Sequence, residues 1–408
     1  MRVLMLTQWF NPEPTFKGLT FAKELARRGH DVEVLTGFPN YPGGKIYPGY
    51  RVRWRQREMM EGIPVSRVPL YPSHDHSSFH RILNYGSFAL SAATIGAHMV
   101  RPADVMHVYQ PITIGLAATV IRRFRKIPYV VDIQDLWPDF LPATNMMTNP
   151  RALWAVGKWC DFVYKDASMI TTLSPGFREA VIRRGINPDK VKVVYNWCDE
   201  DQVDLSENRD DAIAEKFGLT GKFNIVFAGS MGRAQALGAV LEAAAQLQYS
   251  HPDIQFVFVG GGVDVDRLKS LAENKKLRNV VFVPRRPLSE IGQLLKWADV
   301  QLIHLKDDPL FATTIPSKTQ TSLAVGRPIL MGLRGDAVGL VESAGAGFSC
   351  IPEDARSIAA GVLKFHSLPR QELKKMGQNA RDFYTKELSL KVGVDKFEKI
   401  FERILAGR

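Results

Sequence analysis

Cysteine is scarce in this 408-residue chain, and Cys160, Cys198 and Cys350 lie far apart with no CxxC pair. An odd, sparse set excludes a disulfide framework and a cysteine zinc site, and fits a reducing compartment. No low-complexity block interrupts the chain, which excludes a disordered tether. The start, Met1-Arg2-Val3-Leu4-Met5-Leu6-Thr7, is too short an apolar run for a signal peptide. The longest apolar stretch, 79–100, carries His80, Arg81, Asn84 and His98, so it reads as a surface-lying or core helix and not a membrane span. No GxGxxG follows the first strand, which disfavours a dinucleotide site. No nucleic-acid motif is present and the cations are dispersed, so no nucleic-acid partner is expected.

What is there is a globular balance, 45% hydrophobic and 23% charged, with a length that suits two domains. The formal net charge of +11 suits nucleic acid, an anionic lipid or a phosphorylated substrate, and does not by itself choose among them. Strand-like runs at 3–7 and 32–36 flank a helical segment at 18–28 that stops at Gly29-His30. That is a βαβ unit and predicts a parallel sheet. Further strands are expected at 104–109, 129–133, 169–173 and 191–195. A polar stretch, 198–214, reads as the linker, and a second series follows at 223–228, 254–259, 280–283, 300–305 and 328–331. The fold class is α/β, two Rossmann-like domains facing across a cleft. We place the domains at 1–203 and 204–385, with an amphipathic helix in 386–408 packing back on the first.

Three loops carry the chemistry. After the first strand comes Phe16-Lys17-Gly18, where a glycine at a helix start lets a diphosphate or sugar approach the free N–H groups. A plain helix-start glycine reads equally well. The second half opens Phe227-Ala228-Gly229-Ser230-Met231-Gly232-Arg233, glycines around a turn with an Arg able to make two hydrogen bonds to a leaving diphosphate. The third is Pro316-Ser317-Lys318, a helix start whose first-turn cation opposes the helix dipole unless an anion is near.

Asp135 follows the strand at 129–133 in Gln134-Asp135-Leu136-Trp137-Pro138, where a carboxylate can orient or deprotonate an acceptor hydroxyl or cap the next helix. Asp199-Glu200-Asp201, Asp264/Asp266 and Asp307-Asp308 resemble metal sites in composition, but 199–201 reads as a solvated linker, and His74-Asp75-His76 lacks a third ligand nearby and reads as an acceptor-loop or surface segment, so no metal site is expected. The run Arg51-Val52-Arg53-Trp54-Arg55-Gln56-Arg57 suits anionic headgroups or a lipid diphosphate, or else an exposed charged strand or loop.

In order along the chain, Lys17-Gly18, Gly29-His30-Asp31-Val32, Pro39-Asn40-Tyr41-Pro42-Gly43-Gly44, Asp135-Leu136-Trp137-Pro138, Ala228-Gly229-Ser230-Met231-Gly232, Pro316-Ser317-Lys318 and Gly326-Arg327-Pro328 resemble a GT-B glycosyltransferase of family GT4, in the branch that builds bacterial surface polysaccharides. The resemblance implies a retaining transfer without metal or other cofactor, with Asp135, Arg233 and Lys318 catalytic. It implies donor contacts from Lys17, Gly18, Gly229, Ser230, Gly232, Arg233, Arg285, Pro316, Ser317, Lys318 and Thr321. The implied donor is a UDP-sugar, with GDP as the alternative, carrying an N-acetylated hexosamine or deoxyhexosamine. The implied acceptor is a polyprenyl-diphosphate-linked saccharide. The implied place is cytoplasmic, peripheral on the inner face of the cell membrane at an anionic membrane surface. One departure stands out: Thr313 and Thr321 occupy the places where many members carry glutamates, and Gln134 takes that of a histidine. The alternative on the same architecture is a nucleotide-sugar 2-epimerase.

Overall fold

Every strand expected from the apolar runs is present, and three more join them. The computed structural model describes residues 1–407 apart from 74–77, 144–145, 202, 204–205 and 207. The chain divides into two compact units, Met1–Tyr195 with Gly393–Arg408, and Asn196–Val392. The divisions thus fall at 195/196 and 392/393, against the 203/204 and 385/386 read from composition.

The first unit holds β1 (Arg2–Thr7), β2 (Asp31–Gly37), β3 (Gln56–Met60), β4 (Ile63–Val68), β5 (Val105–Tyr109), β6 (Tyr129–Ile133), β7 (Met169–Thr172) and β8 (Val191–Val193). They form one sheet in the order β3-β4-β2-β1-β5-β6-β7-β8, parallel except for the β3/β4 hairpin. That hairpin was not foreseen: its β3 alternates exposed and half-buried positions, so it offers no continuous apolar run. The inner strands β5, β6 and β7 are buried at every residue, because helices cover both faces. Those used below are α1 (Leu19–Arg27), α2 (Ser78–Ser91), α3 (Gly115–Arg125) and α4 (Pro150–Asp166). The apolar stretch at 79–100 is α2 and its continuation through Ala97–Met99; among the described residues, no helix is long and apolar enough to cross a membrane.

The second unit holds β9 (Phe223–Ser230), β10 (Ile254–Gly261), β11 (Val280–Val283), β12 (Val300–His304), β13 (Ile329–Gly332) and β14 (Gly347–Ser349), all parallel in the order β11-β10-β9-β12-β13-β14. Alternation along β9 splits its side chains between two cores. Ile225 and Phe227 join one cluster with Leu241 of α5 (Leu237–Leu247), while Val226 joins the other with Val257 and Leu294. On that second side lies α6 (Ser317–Val325), which contributes Val325.

The last helix, α7 (Leu390–Ala406), returns the chain to the first unit. Its Val394, Phe397, Ile400, Phe401 and Ile404 recur at helical spacing and are buried. Phe397 meets Phe21 of α1 with ring centroids 5.3 Å apart. Arg28 pairs with Asp395 and Glu398, and His30 Nε2 lies 2.7 Å from Glu398.

Candidate active site

Parallel strands leave their carboxyl ends free to carry a site, and in the second unit those ends are built of glycine. Gly229 on β9 pairs with Gly260 on β10, at φ of 138° and 135°, a backbone region closed to most side chains. A Cβ on Gly260 would collide with the Gly229 carbonyl. The strand ends therefore lie together, with no side chain of their own at Gly229 and Gly260. Met231 N–H donates to Gly261 O at 2.9 Å, and Asp264 N–H donates to Met231 O at 3.1 Å, which fixes the turn that follows.

Cations fill the space the glycines leave. Lys318, in the first turn of α6, places Nζ 3.1 Å from where a Cβ of Gly229 would stand and 3.9 Å from the Phe227 ring centroid. The stem is partly exposed, but Nζ itself is buried and has no hydrogen-bond partner among the described residues. Burial lowers its pKa to about 8. The first turn of α6 contains no acid to offset it. The aromatic face is a partial substitute for water. Arg285 lies over Gly261, its Nε 2.8 Å from a Cβ placed there. Arg233 is exposed in a one-turn 3-10 helix just past β9. Neither arginine has an ion pair among the described residues. A buried ammonium at the end of β9, with one guanidinium group at the end of β10 and another just past β9, none of them ion-paired among the described residues, is an arrangement that an anion completes.

The turn carrying Arg233 is held from below. His304, at the end of β12 and fully buried, donates from Nδ1 to Gln235 O at 2.7 Å. It accepts at Nε2 from Glu353 N–H at 3.1 Å, so the ring is neutral, and burial lowers its pKa. Gln235 Oε1 accepts from Gly232 N–H at 2.9 Å. This corrects one expectation: the Gly232 N–H is already used within the turn and is not a donor for a ligand. Gly229 and Ser230 do lie at the strand end as expected, with Ser230 exposed. Pro316 caps α6 and Ser317 opens it, while Thr321 sits half-buried one turn further on. Thr313 Oγ1 donates to Leu310 O at 3.5 Å.

In the first unit two expectations are overturned. Lys17 is fully buried, and its Nζ donates to Asp132 Oδ2 at 2.6 Å. His107 Nε2 lies 3.4 Å from the same oxygen, and Gln134 Nε2 donates to Asp132 Oδ1 at 2.9 Å. The Asp132 carboxyl is held at about 2 despite a burial that works in the other direction, by Lys17 and by the hydrogen bond from His107. Lys17 is thus the counter-ion of an interior carboxylate and not a donor contact. Gly18 is likewise enclosed: a Cβ there would meet Thr15 and Asn11, and Asn11 Oδ1 accepts from Leu19 N–H at 2.8 Å. A side chain of the loop, not a ligand, caps α1.

Asp135 remains accessible just past β6. Its carboxylate accepts no hydrogen bond among the described residues, so it does not cap the short helix Phe140–Ala143. The surrounding protein raises its pKa, and its charge in turn acts on Tyr41 and Tyr85. Nearby Glu13 ties two loops together by accepting from the N–H groups of Phe10, Asn40 and Tyr41 at 3.1, 2.7 and 2.7 Å. Burial raises its pKa to about 7.

The acidic groups have structural partners. Glu200 accepts from Tyr384 OH at 2.6 Å, Asp264 holds Arg267, and Asp307 holds Arg334. His74-Asp75-His76 lies outside the described residues. Among the described residues, no group of three or more His, Cys, Asp or Glu is placed to hold a metal. Sequence reasoning missed Gly260-Gly261-Gly262 and His304. The signal was there: three glycines close an apolar strand run, and a histidine ends another.

Two α/β units, each built on a largely parallel sheet with helices, give the architecture of the GT-B glycosyltransferases. The chain belongs to the glycosyltransferases: residues 19–197 match the Glycosyl transferase 4-like domain and residues 209–383 match Glycosyl transferases group 1. It is 26% identical, over 91% of this chain and 93% of the other, to WcaI of Escherichia coli (strain K12), named as a colanic acid biosynthesis glycosyl transferase. It is 20% identical, over 95% of this chain and 93% of the other, to N-acetyl-alpha-D-glucosaminyl L-malate synthase of Bacillus anthracis. Among solved structures, Anabaena Alr3699/HepE in complex with UDP-glucose superposes with a TM-score of 0.70 at 16% identity, over 99% of this chain and 100% of that one.

Proposed function

We propose that this glycosyltransferase transfers a sugar from a UDP-sugar, with retention at the anomeric carbon, to a lipid-linked saccharide during assembly of a cell-surface polysaccharide. The observation that carries the reading is Lys318, an ammonium buried without an acceptor above a strand end stripped of side chains. A diphosphate there supplies the missing anion. The polysaccharide setting follows the name of WcaI, and uridine follows the UDP-glucose bound by Alr3699/HepE. The sugar we favour is an N-acetylated hexosamine or deoxyhexosamine, in keeping with the glucosaminyl product named for the Bacillus anthracis relative.

In the step, the bond from the anomeric carbon to the diphosphate oxygen breaks, and the acceptor oxygen bonds to that carbon on the same face. The acceptor's proton passes to the departing phosphate. Charge grows on the diphosphate, and Lys318, Arg233 and Arg285 stabilise it without reorganising. Those cations serve in place of a metal. Asp135, on the first unit, orients the acceptor hydroxyl. The acceptor is carried on a polyprenyl diphosphate, so the enzyme works from the cytoplasmic side, peripheral to the inner face of the membrane.

A thermal-shift screen of the full chain against UDP, GDP, TDP and their sugars tests the donor, since a ligand that binds the folded state raises its apparent stability. We expect UDP and a UDP-sugar to raise it most, and the donor to be consumed only when a lipid-linked acceptor is added. Consumption without acceptor would replace transfer by 2-epimerisation. Near-normal turnover in both Arg233→Ala and Lys318→Ala would overturn the reading.

A further inference from the structure

The first unit carries large apolar side chains that its own core does not use. On α2 the exposed positions are Phe79, Ile82, Leu83 and Leu90, one helical face without a charge on it. α3 packs beside α2, and α4 beside α3. Their outward faces add Leu116 and Phe124 from α3, and Trp154 and Phe162 from α4. Phe79 is 65% exposed, Phe124 76% and Trp154 68%. Large apolar side chains exposed on three helices that pack side by side mark an interaction site.

Charge selects the partner. Helices α2 and α3 contain no Asp or Glu at all. The two on α4 are bound to arginines: Asp161 to Arg184 at 2.8 Å and Asp166 to Arg122 at 2.7 Å. Arg123, Arg151, Lys158 and Lys165 are exposed between the aromatic groups, with Lys158 Nζ 5.9 Å from the Trp154 ring. Beyond the end of α2, Thr94 and His98 share a groove with Trp54, Arg55 and Arg57, which extends the same combination to the basic run. Apolar groups flush with cations, where both carboxylates of the three helices are already held by arginines, fit a surface that is apolar in depth and uniformly negative at its rim. A second copy would bring cation against cation, which opposes self-association through this face.

We propose that the outer faces of α2, α3 and α4 are the surface on which the first unit lies against an anionic bilayer, Phe79, Phe124 and Trp154 entering the acyl boundary and Arg123 and Lys158 meeting headgroup phosphates. This deepens the reading above by giving its membrane partner named residues. UDP binding measured on the same variants separates the failure of one from the failure of the other.

The full chain is mixed with phosphatidylcholine vesicles with and without about a third phosphatidylglycerol, at about 0.1 M salt, and its partition is read by flotation. We expect binding at least about tenfold stronger to the anionic vesicles, weakened by added salt. Phe124→Ser with Trp154→Ser, and separately Arg123→Glu with Lys158→Glu, each lower it about tenfold or more, while Tyr249→Ser, an exposed aromatic of the second unit, changes nothing. The thermal shift with UDP stays as in the parent chain, which shows that the variants are folded. Absent or charge-indifferent vesicle binding by the parent chain overturns the proposal, as do face variants that float as the parent does. So does a dimer in sedimentation velocity that the same substitutions dissolve, because the face is then a contact between copies.

Discussion

Lys17 and Lys318 are a matched pair with opposite meanings. Both follow loops at the carboxyl ends of parallel strands, both stand at the start of a helix, and both bury an ammonium. Lys17 has Asp132 at 2.6 Å, with His107 and Gln134 on the same carboxylate. Lys318 has an aromatic ring, a glycine floor and no acceptor among the described residues. Burial lowers the pKa of each, but only the first has a counter-ion to oppose it. The difference teaches that a buried cation marks a ligand site only when the fold has left out its anion. The first ammonium supports the interior of a sheet, and the second stores an unmet charge that, in the function proposed above, a diphosphate meets.

The comparison breaks most visibly at Lys17. Lys17→Ala leaves the Asp132 carboxylate buried and uncompensated, and we expect a loss of about 3–5 kcal/mol in folding stability by denaturant melts. The double variant Lys17→Met with Asp132→Leu recovers much of it, because neither charge then remains. At Lys318 the loss falls on activity: Lys318→Ala lowers kcat on the order of 100-fold or more while the fold persists. Arg233→Ala behaves the same way.

Glu13 sharpens the contrast between structural and functional groups in the first unit. Glu13→Ala strands the N–H groups of Phe10, Asn40 and Tyr41 and costs about 1–3 kcal/mol, whereas Glu13→Gln keeps an acceptor and costs less. Asp135→Asn, by contrast, lowers kcat with little change in stability or in the UDP thermal shift, since its carboxylate accepts no hydrogen bond among the described residues.

The smallest effect is in pH. The Lys318 ammonium titrates at about 8 in the free protein, so UDP affinity falls as pH rises beyond that value. Lys318→Arg stays charged and flattens the profile, which isothermal titration across pH 7 to 10 reads directly. The linkage to stability has the reverse sign. A lysine whose folded pKa is depressed costs stability while protonated, and that cost disappears as pH rises from about 8 to the ordinary lysine value.

Both sheets were legible from apolar runs because buried parallel strands leave continuous Val, Ile and Leu signals. The β3 strand escaped because its side chains are only partly buried, β4 because Pro64, Ser66 and Arg67 interrupt its apolar run, and β14 because Gly347-Phe348-Ser349 offers one apolar side chain. At the second unit Gly229 and Lys318, which the fold brings to one strand end, stood out in the sequence because a glycine after a strand and a cation at a helix start are local signals. At the first unit the same logic failed for Lys17. Asp132 lies 115 positions away, and only the sheet brings the two together. His304 was invisible for a similar reason: its work is to hold the Gln235 carbonyl of a turn 69 positions earlier.

The most direct test is the thermal stability of Lys318→Met measured with and without UDP. Our account predicts that removing the stranded ammonium makes the ligand-free protein more stable than the parent and abolishes the UDP-dependent shift. A variant that is less stable than the parent without ligand, yet keeps its full response to UDP, would contradict it.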